Sequence, residues 1–258
     1  MLEINNLTVF FGGHKALNEV SLVLKKGESL GIVGESGSGK STLALSILNL
    51  IPSPGKILGG EIVFNGKNIL DYSEKEMINI RGNKISMIFQ DPFSSLNPVF
   101  TIKEQLLETI DVHLGIKGTE ALKKAVQFLD LVKIKDPEKR INDYPHEFSG
   151  GMRQRVMIAM ALISEPEIII ADEPTTALDS KTQDEILELL KGLKAKFNFS
   201  ILYITHNFSV VKKISERIIV MNQGEIVEEG ETLKIFSEPK SPYTKELISA
   251  LKELESTS

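Results

Sequence analysis

The sequence contains no cysteine, and this absence excludes several kinds of site at once. A disulfide framework, a zinc ribbon and a cysteine-ligated iron–sulfur cluster all require cysteine side chains. The longest apolar runs, at 158–163 and 168–171, are far too short to cross a bilayer. Residues 1–6 lack the basic start and apolar centre of a signal peptide. We therefore expect a cytosolic chain, which would serve a membrane only through other subunits.

Strong positive charge is also missing. The formal net charge is −5, and the sequence has no long basic stripe. Proteins whose main partner is nucleic acid usually carry such a stripe, so the charge balance argues against that partner. The 258 residues, 41% hydrophobic and 25% charged, are instead typical of one compact α/β unit with a substantial core.

A glycine-rich segment lies between an apolar strand pattern at 29–33 and a helical run at 43–48. It reads Gly34-Glu35-Ser36-Gly37-Ser38-Gly39-Lys40-Ser41-Thr42. A strand, a glycine turn, Lys-Ser/Thr and a helix in this order indicate a phosphate-binding loop. Glycines let the backbone wrap a polyphosphate, and the helix start adds its positive dipole end. We expect Lys40 to bridge the β- and γ-phosphates of a nucleoside triphosphate and the Ser41 hydroxyl to ligate Mg²⁺.

The pattern around this loop changes from strand to helix along the chain. Alternating residues predict strands at 2–11, 16–25 and 61–64, and Asn65-Gly66 is a strong hairpin signal. From 101 to 163 the pattern is helical and starts with a capping box, Thr101 followed by Glu104. The predicted fold class is α/β, a P-loop NTPase core with an N-terminal antiparallel β subdomain and an inserted α-helical subdomain.

Two later apolar strands each present polar side chains at their carboxyl ends. The first ends in Asp172-Glu173 and the second in His206. Ligands of open parallel sheets bind at this edge. We expect Asp172 to be the Mg²⁺ partner opposite Ser41 and Glu173 to polarise an attacking water. The residues alone leave two alternatives, a solvated turn for the acids and a structural role for the histidine.

Two further features have both a functional and a structural interpretation. Phe11 could offer adenine an aromatic face, but an aromatic in an amphipathic strand is more often part of the core. Ser149 predicts a helix N-cap, and Gly150-Gly151 leave that helix start open for a second anion. A simple cap is the alternative for this segment.

These pieces, in this order, resemble the ATP-binding cassette (ABC) family over essentially the whole chain. A phosphate-binding loop alone leaves nucleotide kinases and small GTPases open, and the serine-glycine-glycine signature between that loop and the acidic strand excludes them. The segments that carry the resemblance are the Gln90 loop, the signature Ser149-Gly150-Gly151-Met152-Arg153-Gln154, Asp172-Glu173-Pro174, Ala177-Leu178-Asp179 and Thr205-His206.

The resemblance implies an ATPase that uses ATP and Mg²⁺ and works as a head-to-tail pair of cassettes. The signature of one cassette, through Ser149 and the N–H of Gly151, would contact the γ-phosphate held by Lys40 of the other. ATP would then be part of the interface, and its hydrolysis would reopen the pair. The resemblance implies that Glu173 is the general base and that His206 contacts the γ-phosphate and supports the transition state. It implies that Gln90 binds Mg²⁺ and senses both this ion and the attacking water. It further implies that Asp179 crosses the dimer interface and that Phe11 stacks on adenine.

Three segments together look like the oligopeptide/dipeptide/nickel importers of this family: 90–98, 144–155 and Ser241-Pro242-Tyr243-Thr244. In such systems two cassette subunits pair beneath two membrane permeases, fed by an extracytoplasmic solute-binding protein. The resemblance favours a sibling cassette as the second subunit, with a second copy of this chain as the alternative. It implies a place at the cytoplasmic face of the cell membrane, where the loop after Gln90 and the neighbouring helices would receive the permease's coupling helix.

The sequence departs from the family pattern at three points. Met152 stands where many cassettes have Gln, which is common in this subfamily. Asn207 follows the switch histidine where Asp is usual, which removes one carboxylate. Many peptide-importer cassettes continue into a cysteine-containing extension, whereas this sequence ends at Ser258 without cysteine. The third departure keeps nickel, metal-chelate and oligosaccharide import open beside peptide import.

The resulting prediction is the ATP-hydrolysing subunit of a membrane importer for oligopeptides or dipeptides. It forms one ABC ATPase domain over 1–258, with a nucleotide-binding core at 1–90 and 164–231, a helical subdomain at 91–163 and a helical tail at 232–258. One alternative is a soluble cassette ATPase acting on DNA or ribosomes, which carries a coiled-coil insertion or tandem cassettes. Another is an exporter half, which carries membrane segments. The sequence shows neither feature.

Overall fold

The computed structural model describes residues 1–91, 95–176 and 178–256, which fall into two compact units. The first unit consists of Met1–Met77 and Ser200–Ser258, and the second of Ile78–Phe199. Residues 92–94 and Ala177, which belong to two of the family motifs, lie outside the described residues, as does Ser258. The predicted division into a nucleotide-binding core, a helical subdomain and a tail was made by function, whereas these two units are defined by compactness. The predicted boundaries therefore stay a prediction.

The described elements alternate between strands and helices along most of the chain. The strands are β1 Leu2–Phe11, β2 His14–Leu24, β3 Ser29–Val33, β4 Lys56–Phe64, β5 Lys67–Asn68, β6 Ile85–Ile88, β7 Ile168–Asp172, β8 Ser200–Thr205, β9 Arg217–Asn222 and β10 Glu225–Glu231. The helices are α1 Lys40–Ile47, α2 Glu74–Ile80, α3 Ile102–Leu114, α4 Gly118–Leu131, α5 Pro137–Arg140, α6 Gly150–Leu162, α7 Ser180–Phe197, α8 Phe208–Ile214, α9 Thr232–Ser237 and α10 Pro242–Ser256.

The first unit contains the antiparallel sheet that the N-terminal pattern predicts. Its strand order is β2-β1-β4-β5, and every neighbouring pair is antiparallel. Alternate residues are buried, for example Val20, Leu22 and Leu24 of β2, because successive side chains point to opposite faces of a sheet. The Asn65-Gly66 turn joins β4 to β5, so the hairpin prediction is confirmed.

A second, mixed sheet in the first unit carries the phosphate-binding loop. β3 pairs in parallel with both β8 and β9, and β9 pairs antiparallel with β10. All residues of β3 and β8 are buried, as expected for central strands of a parallel sheet. The chain leaves β3 through the glycine-rich loop and enters α1. The α/β class and the β subdomain are therefore confirmed.

The second unit holds the inserted helices. β6 and β7 pair in parallel, with Ile85 opposite Ile168. The helices α3 to α6 lie between these strands in the chain, which confirms the predicted helical insertion. Thr101 is the N-cap of α3 and makes both hydrogen bonds of the predicted capping box. Its side-chain oxygen accepts the N–H of Glu104, and the Glu104 carboxylate accepts the N–H of Thr101.

Three helices were not predicted from the sequence: α2, α7 and α8. The signal for α7 was present, because Asp179 is a good N-cap and Ile186, Leu190 and Leu193 recur at helical spacing. The helix α8 has only seven residues, too few for a clear period. In the described part of the chain, no helix combines the length and the apolar character needed to cross a membrane.

Candidate functional site

The phosphate-binding loop is shaped by two glycines that accept no side chain. A Cβ at Gly34 would lie 2.1 Å from the backbone oxygen of Met221. Gly39 has φ of 101°, and a Cβ there would lie 2.6 Å from the backbone oxygen of Ala16. Both contacts are far closer than van der Waals distance, and the left-handed conformation of Gly39 adds strain for any other residue. The loop therefore needs glycine at its first position and directly before α1.

The loop curves around the ammonium group of Lys40. This side chain is only 5% exposed. Its Nζ donates hydrogen bonds to the backbone oxygens of Gly34, at 2.8 Å, and Glu35, at 2.7 Å, and to Oγ of Ser38, at 3.2 Å. Gly39, the N-cap of α1, supplies no side-chain cap to the first N–H groups of that helix. A fixed positive charge beside a helix start is the chemistry that binds phosphate.

In the second unit, β7 delivers the two predicted carboxylates. Asp172 is the last residue of the strand and is buried. Glu173 follows with φ of 46°, an uncommon left-handed conformation for a non-glycine residue. Its Oε2 accepts two hydrogen bonds, from Nε2 of Gln90 at 3.1 Å and from Oγ1 of Thr176 at 2.8 Å. Two donors on one oxygen fix the orientation of the Glu173 carboxylate. The contact between Gln90 and Glu173 was not predicted from the sequence, and the role of Gln90 at Mg²⁺ and the attacking water stays a prediction.

Thr176 is a functional candidate that the sequence analysis missed. It lies three residues after Glu173 in the same turn, and its N–H also donates to the Glu173 backbone oxygen at 3.3 Å. A threonine in a loop carries no signal of its own, because hydroxyls of this kind commonly bond to nearby backbone. Only the backbone conformation of the turn brings its hydroxyl to the carboxylate.

The signature forms the first turn of α6. Oγ of Ser149 accepts the N–H of Met152 at 3.3 Å, so the predicted N-cap is present. A Cβ at Gly151 would lie 2.6 Å from Cγ2 of Thr182 on α7, which explains the glycine by packing. Arg153 donates from Nε to the backbone oxygen of Pro145 at 2.7 Å.

The side chains of the signature divide between surface and interior. Ser149 is exposed, and Gly150, Gly151, Met152 and Arg153 are half-buried. Gln154 is only 1% exposed, and its Nε2 has no hydrogen-bond partner among the described residues. The first five residues of the signature therefore lie where another molecule can reach them, and the last lies inside the unit.

Asp179 is joined to the signature through one threonine. Its Oδ1 accepts the N–H of Thr182 at 3.0 Å and its Oδ2 accepts Oγ1 of Thr182 at 2.7 Å, which caps α7. These two hydrogen bonds hold the pKa of Asp179 below its usual value. Since the methyl group of the same Thr182 lies against Gly151, this threonine fixes the aspartate and the glycine together. The sequence analysis did not identify Thr182.

Two more predicted residues lie in the first unit. His206 directly follows the last residue of β8 and is exposed. The neighbouring Asn207 caps α8, because its Oδ1 accepts the N–H of Ser209 at 2.9 Å. Phe11 ends β1 and is half-buried, and a Cβ at Gly55 would lie 2.5 Å from its ring. The catalytic role of His206 and the stacking role of Phe11 stay predictions.

Comparison with known proteins identifies the family. The family model described as ABC transporter matches residues 17–176. The chain belongs to the ABC transporter family. This cassette is 50% identical over 262 residues to the oligopeptide transport ATP-binding protein OppD of Bacillus subtilis, covering all of this chain and 73% of that protein. It is 47% identical to OppD of Salmonella typhimurium, covering 99% of this chain and 77% of the relative.

Solved structures agree with this assignment. The dimeric, post-hydrolysis state of the ATP-binding cassette MJ0796, bound to ADP and Pi, superposes with a TM-score of 0.79. That structure is 35% identical in sequence and covers 90% of this chain and 99% of its own. The cassette is thus an ATPase of the ABC type, with the mixed α/β fold and the nucleotide-binding loop of that family.

Proposed function

We propose that this cassette is the ATP-hydrolysing subunit of a membrane importer for oligopeptides or dipeptides. The observation that carries the proposal is the near-complete match to two oligopeptide transport ATP-binding proteins at 50% and 47% identity. Both matches extend beyond the nucleotide-binding loop to the segments 144–155 and 241–244, which the sequence analysis associates with this importer subfamily. The alternative is import of nickel, metal chelates or oligosaccharides by the same subfamily, and the experiment that tests the proposal must exclude it.

The phosphate-binding loop binds the triphosphate of ATP in this proposal. The Lys40 ammonium exchanges its backbone acceptors for β- and γ-phosphate oxygens, which are stronger partners because both sides are charged. The close backbone approach at Gly34 and Gly39, which a Cβ would prevent, gives the loop the path that this binding requires. Phe11 stacks on adenine. The ATP-binding residues in this assignment are Phe11, Gly34, Glu35, Ser36, Gly37, Ser38, Gly39, Lys40, Ser41 and Thr42.

Hydrolysis needs a base for the attacking water, and Glu173 takes that role. Its carboxylate accepts a proton from the water while the water oxygen bonds to the γ-phosphorus and the bond to the β-phosphate oxygen breaks. Gln90 and Thr176 keep the carboxylate in one orientation through their bonds to Oε2. His206 contacts the γ-phosphate and stabilises its charge. Catalysis in this scheme depends more on holding the water, the Glu173 carboxylate and the γ-phosphate in the right geometry than on the basicity of Glu173.

The predicted Mg²⁺ ligands fit that ion chemically. Ser41, Gln90 and Asp172 offer a hydroxyl, an amide and a carboxylate, the hard oxygen donors that Mg²⁺ takes, usually together with phosphate and water. Groups of three or more His, Cys, Asp or Glu side chains able to hold a metal do not occur in the described ranges. The ion supplies charge neutralisation at the phosphate oxygens.

A second cassette completes the working unit. Ser149 to Arg153 lie at the surface of the signature and are suited to contact the ATP held by a partner. Gln154, which the sequence analysis included in the signature, is buried and is therefore not placed to contact that ATP. Asp179 crosses the interface in the same assignment. The solved relative MJ0796 is dimeric after hydrolysis, which supports pairing here, with a sibling cassette or a second copy of this chain as partner.

Two transmembrane permeases and, indirectly, an extracytoplasmic solute-binding protein are the further partners, and nucleic acid is not one of them. The cassette then works at the cytoplasmic face of the cell membrane. Val99 and Phe100, which precede α3, are 71% and 46% exposed. Exposed apolar side chains just after the Gln90 loop suit a coupling helix of the permease, because burying them there removes apolar surface from water.

Co-purification tests the proposal. The tagged cassette, expressed in its source organism and extracted in detergent, should retain two permease subunits and a second cassette. Recovery of ribosomes or DNA in their place would establish the soluble-ATPase alternative. The assembled importer, reconstituted in vesicles with its binding protein, should accelerate ATP hydrolysis with peptides and not with nickel chelates or oligosaccharides. Stimulation by either of the latter would reassign the solute while leaving the ATPase role intact.

A further inference from the structure

The segment Ser241-Pro242-Tyr243-Thr244 touches the phosphate-binding loop. Tyr243 lies in the first turn of α10 and is half-buried. Its hydroxyl oxygen accepts a hydrogen bond from the backbone N–H of Glu35 at 3.2 Å. Glu35 is the second residue of the phosphate-binding loop, 208 positions earlier in the sequence. The family resemblance uses this segment as a marker only and assigns it no part in nucleotide binding.

The loop residue Glu35 is held from two sides. Its N–H donates to Tyr243, and its backbone oxygen accepts from Nζ of Lys40 at 2.7 Å. In the proposed function Lys40 exchanges its bond to Glu35 for phosphate, whereas the bond between Glu35 and Tyr243 does not involve the lysine. The Tyr243 contact is therefore the one suited to keep this part of the loop in place while ATP is bound.

Tyr243 is carried by a firmly attached helix start. Glu228 of β10 accepts the N–H of Lys240 at 2.8 Å and the N–H of Ser241 at 3.0 Å. Burial raises the pKa of Glu228, but hydrogen bonds, with those from Lys240 and Ser241 among them, and the charge of Lys240 outweigh it and leave the pKa below its usual value. An anionic carboxylate at a helix N-terminus stabilises that helix. The tyrosine ring is thus presented from a fixed position.

The hairpin that holds this helix start also reaches the loop. The N–H of Gly224, in the turn between β9 and β10, donates to the backbone oxygen of Ser38 at 3.0 Å. Two residues of the phosphate-binding loop, Glu35 and Ser38, are therefore bonded to the C-terminal part of the first unit. The loop and the C-terminal helix form one hydrogen-bonded assembly.

We propose that Tyr243 is a positioning residue of the phosphate-binding loop, which ties the affinity for ATP to the docking of α10. It fixes the Glu35 peptide and so keeps the loop in the conformation that accepts phosphate. The inference rests on the proposed ATPase function, since it concerns the same nucleotide. Coupling of this kind is reciprocal: if α10 favours nucleotide binding, bound nucleotide must favour the docked helix by the same free energy.

The variant Tyr243→Phe tests this inference in the full chain, because it removes only the hydroxyl. A typical hydrogen bond contributes about 0.5–1.5 kcal/mol, so the KM for ATP and the Kd for a non-hydrolysable analogue should rise about 2- to 12-fold. The kcat should stay unchanged, because the groups that act on the water are untouched. Tyr72→Phe, at another half-buried tyrosine of the same unit, is the matched control and should leave KM, Kd and kcat at wild-type values.

Two outcomes would overturn the inference. One is a folded Tyr243→Phe protein whose nucleotide affinity is unchanged or higher, and the other is a fall in kcat without a change in affinity. Lys40→Ala, measured beside it, separates these from failure of the ATPase assignment, since loss of this lysine must weaken binding about tenfold or more if the loop binds phosphate. If Lys40→Ala leaves affinity unchanged, the nucleotide site itself is misplaced.

Hydrogen exchange provides a second readout that a purely structural tyrosine would not change. In the wild-type protein the non-hydrolysable analogue should slow amide exchange over 242–256, by reciprocal coupling. In Tyr243→Phe this protection should shrink. Equal protection of that segment in the two proteins would contradict the coupling, even if affinities differ.

Discussion

Nε2 of Gln90 donates to Oε2 of Glu173 across 3.1 Å, which joins two residues that are 83 positions apart in the sequence. The acceptor is the carboxylate to which we assign the role of general base, and the donor follows the neighbouring strand β6. The contact orients the Glu173 carboxylate. If Gln90 senses Mg²⁺ and the attacking water, as proposed, this hydrogen bond lets it change the orientation of the base directly.

Glu173→Gln should nearly abolish turnover while nucleotide affinity is retained. The amide keeps the size of the carboxylate but cannot accept a proton, and general bases contribute about 10²- to 10⁴-fold to rate. Phosphate release and analogue binding measure the two effects, and the variant should also accumulate a closed cassette pair with ATP. Glu167→Gln, an exposed glutamate paired with Lys84, is the control. Normal turnover by Glu173→Gln would remove this residue from the base role.

Thr176→Val should lower kcat and leave the KM for ATP unchanged. The substitution keeps the shape of the side chain but removes the hydroxyl that donates to Glu173 at 2.8 Å. Hydrogen bonds to charged groups are worth about 1.5–3 kcal/mol, which corresponds to roughly a 10- to 150-fold loss. Steady-state kinetics check this, and Thr176→Ser, which restores a hydroxyl, should recover most of the rate. A Val variant with wild-type kcat would show that the hydroxyl does not orient the base.

Asn207 should tolerate replacement by Asp but not by Ala. Its side-chain oxygen caps α8 through the N–H of Ser209, and Asp supplies the same acceptor. Loss of such a cap costs about 1 kcal/mol, so Asn207→Ala should reduce the free energy of unfolding by that amount in a denaturant titration. Asn207→Asp should lie within about 0.5 kcal/mol of wild type. A large loss in the Asp variant would mean that the amide nitrogen has an essential role.

The pair Glu28–Arg217 should make stability depend on pH. Nε of Arg217 lies 2.8 Å from Oε1 of Glu28, and both side chains are largely buried. Burial raises the pKa of Glu28, but Arg217 and the N–H of Lys25 together lower it below the ordinary value of 4.5. A depressed carboxylate pKa stabilises the fold above the unfolded value and loses this effect as pH falls through the folded value.

The corresponding experiment compares Glu28→Gln with wild type at several pH values. At pH 7 the variant should be less stable by about 1–3 kcal/mol, because the buried guanidinium loses a charged partner. The difference should shrink as the pH is taken below 4.5, the ordinary value for glutamate. Glu231→Gln, which removes an exposed pair with Lys234, should have little effect at any pH. A difference that persists undiminished in acid would show that Glu28 acts through packing alone.

Most of the architecture followed from local sequence patterns, for physical reasons that particular elements illustrate. β2 was predictable because alternation is a property of any half-buried strand, and α3 because Thr101 and Glu104 cap a helix wherever they occur in that spacing. The helices α7 and α8 were missed. The N-cap of α7 is Asp179, which the family resemblance presented only as a residue of the dimer interface. The helix α8 is too short to show a helical period in its sequence.

The sequence by itself determined which chemical groups the cassette carries. The phosphate-binding loop, the paired acids after β7 and the signature are each contiguous, so their order identifies them without coordinates. The tertiary structure decided which of these groups touch. Hydrogen bonds from Thr176 to Glu173 and from Glu35 to Tyr243 depend on a left-handed turn and on a helix docked from the far end of the chain. Such contacts depend on the local backbone conformation and on the packing of segments that are distant in the sequence. Neither can be predicted from the order of the residues alone.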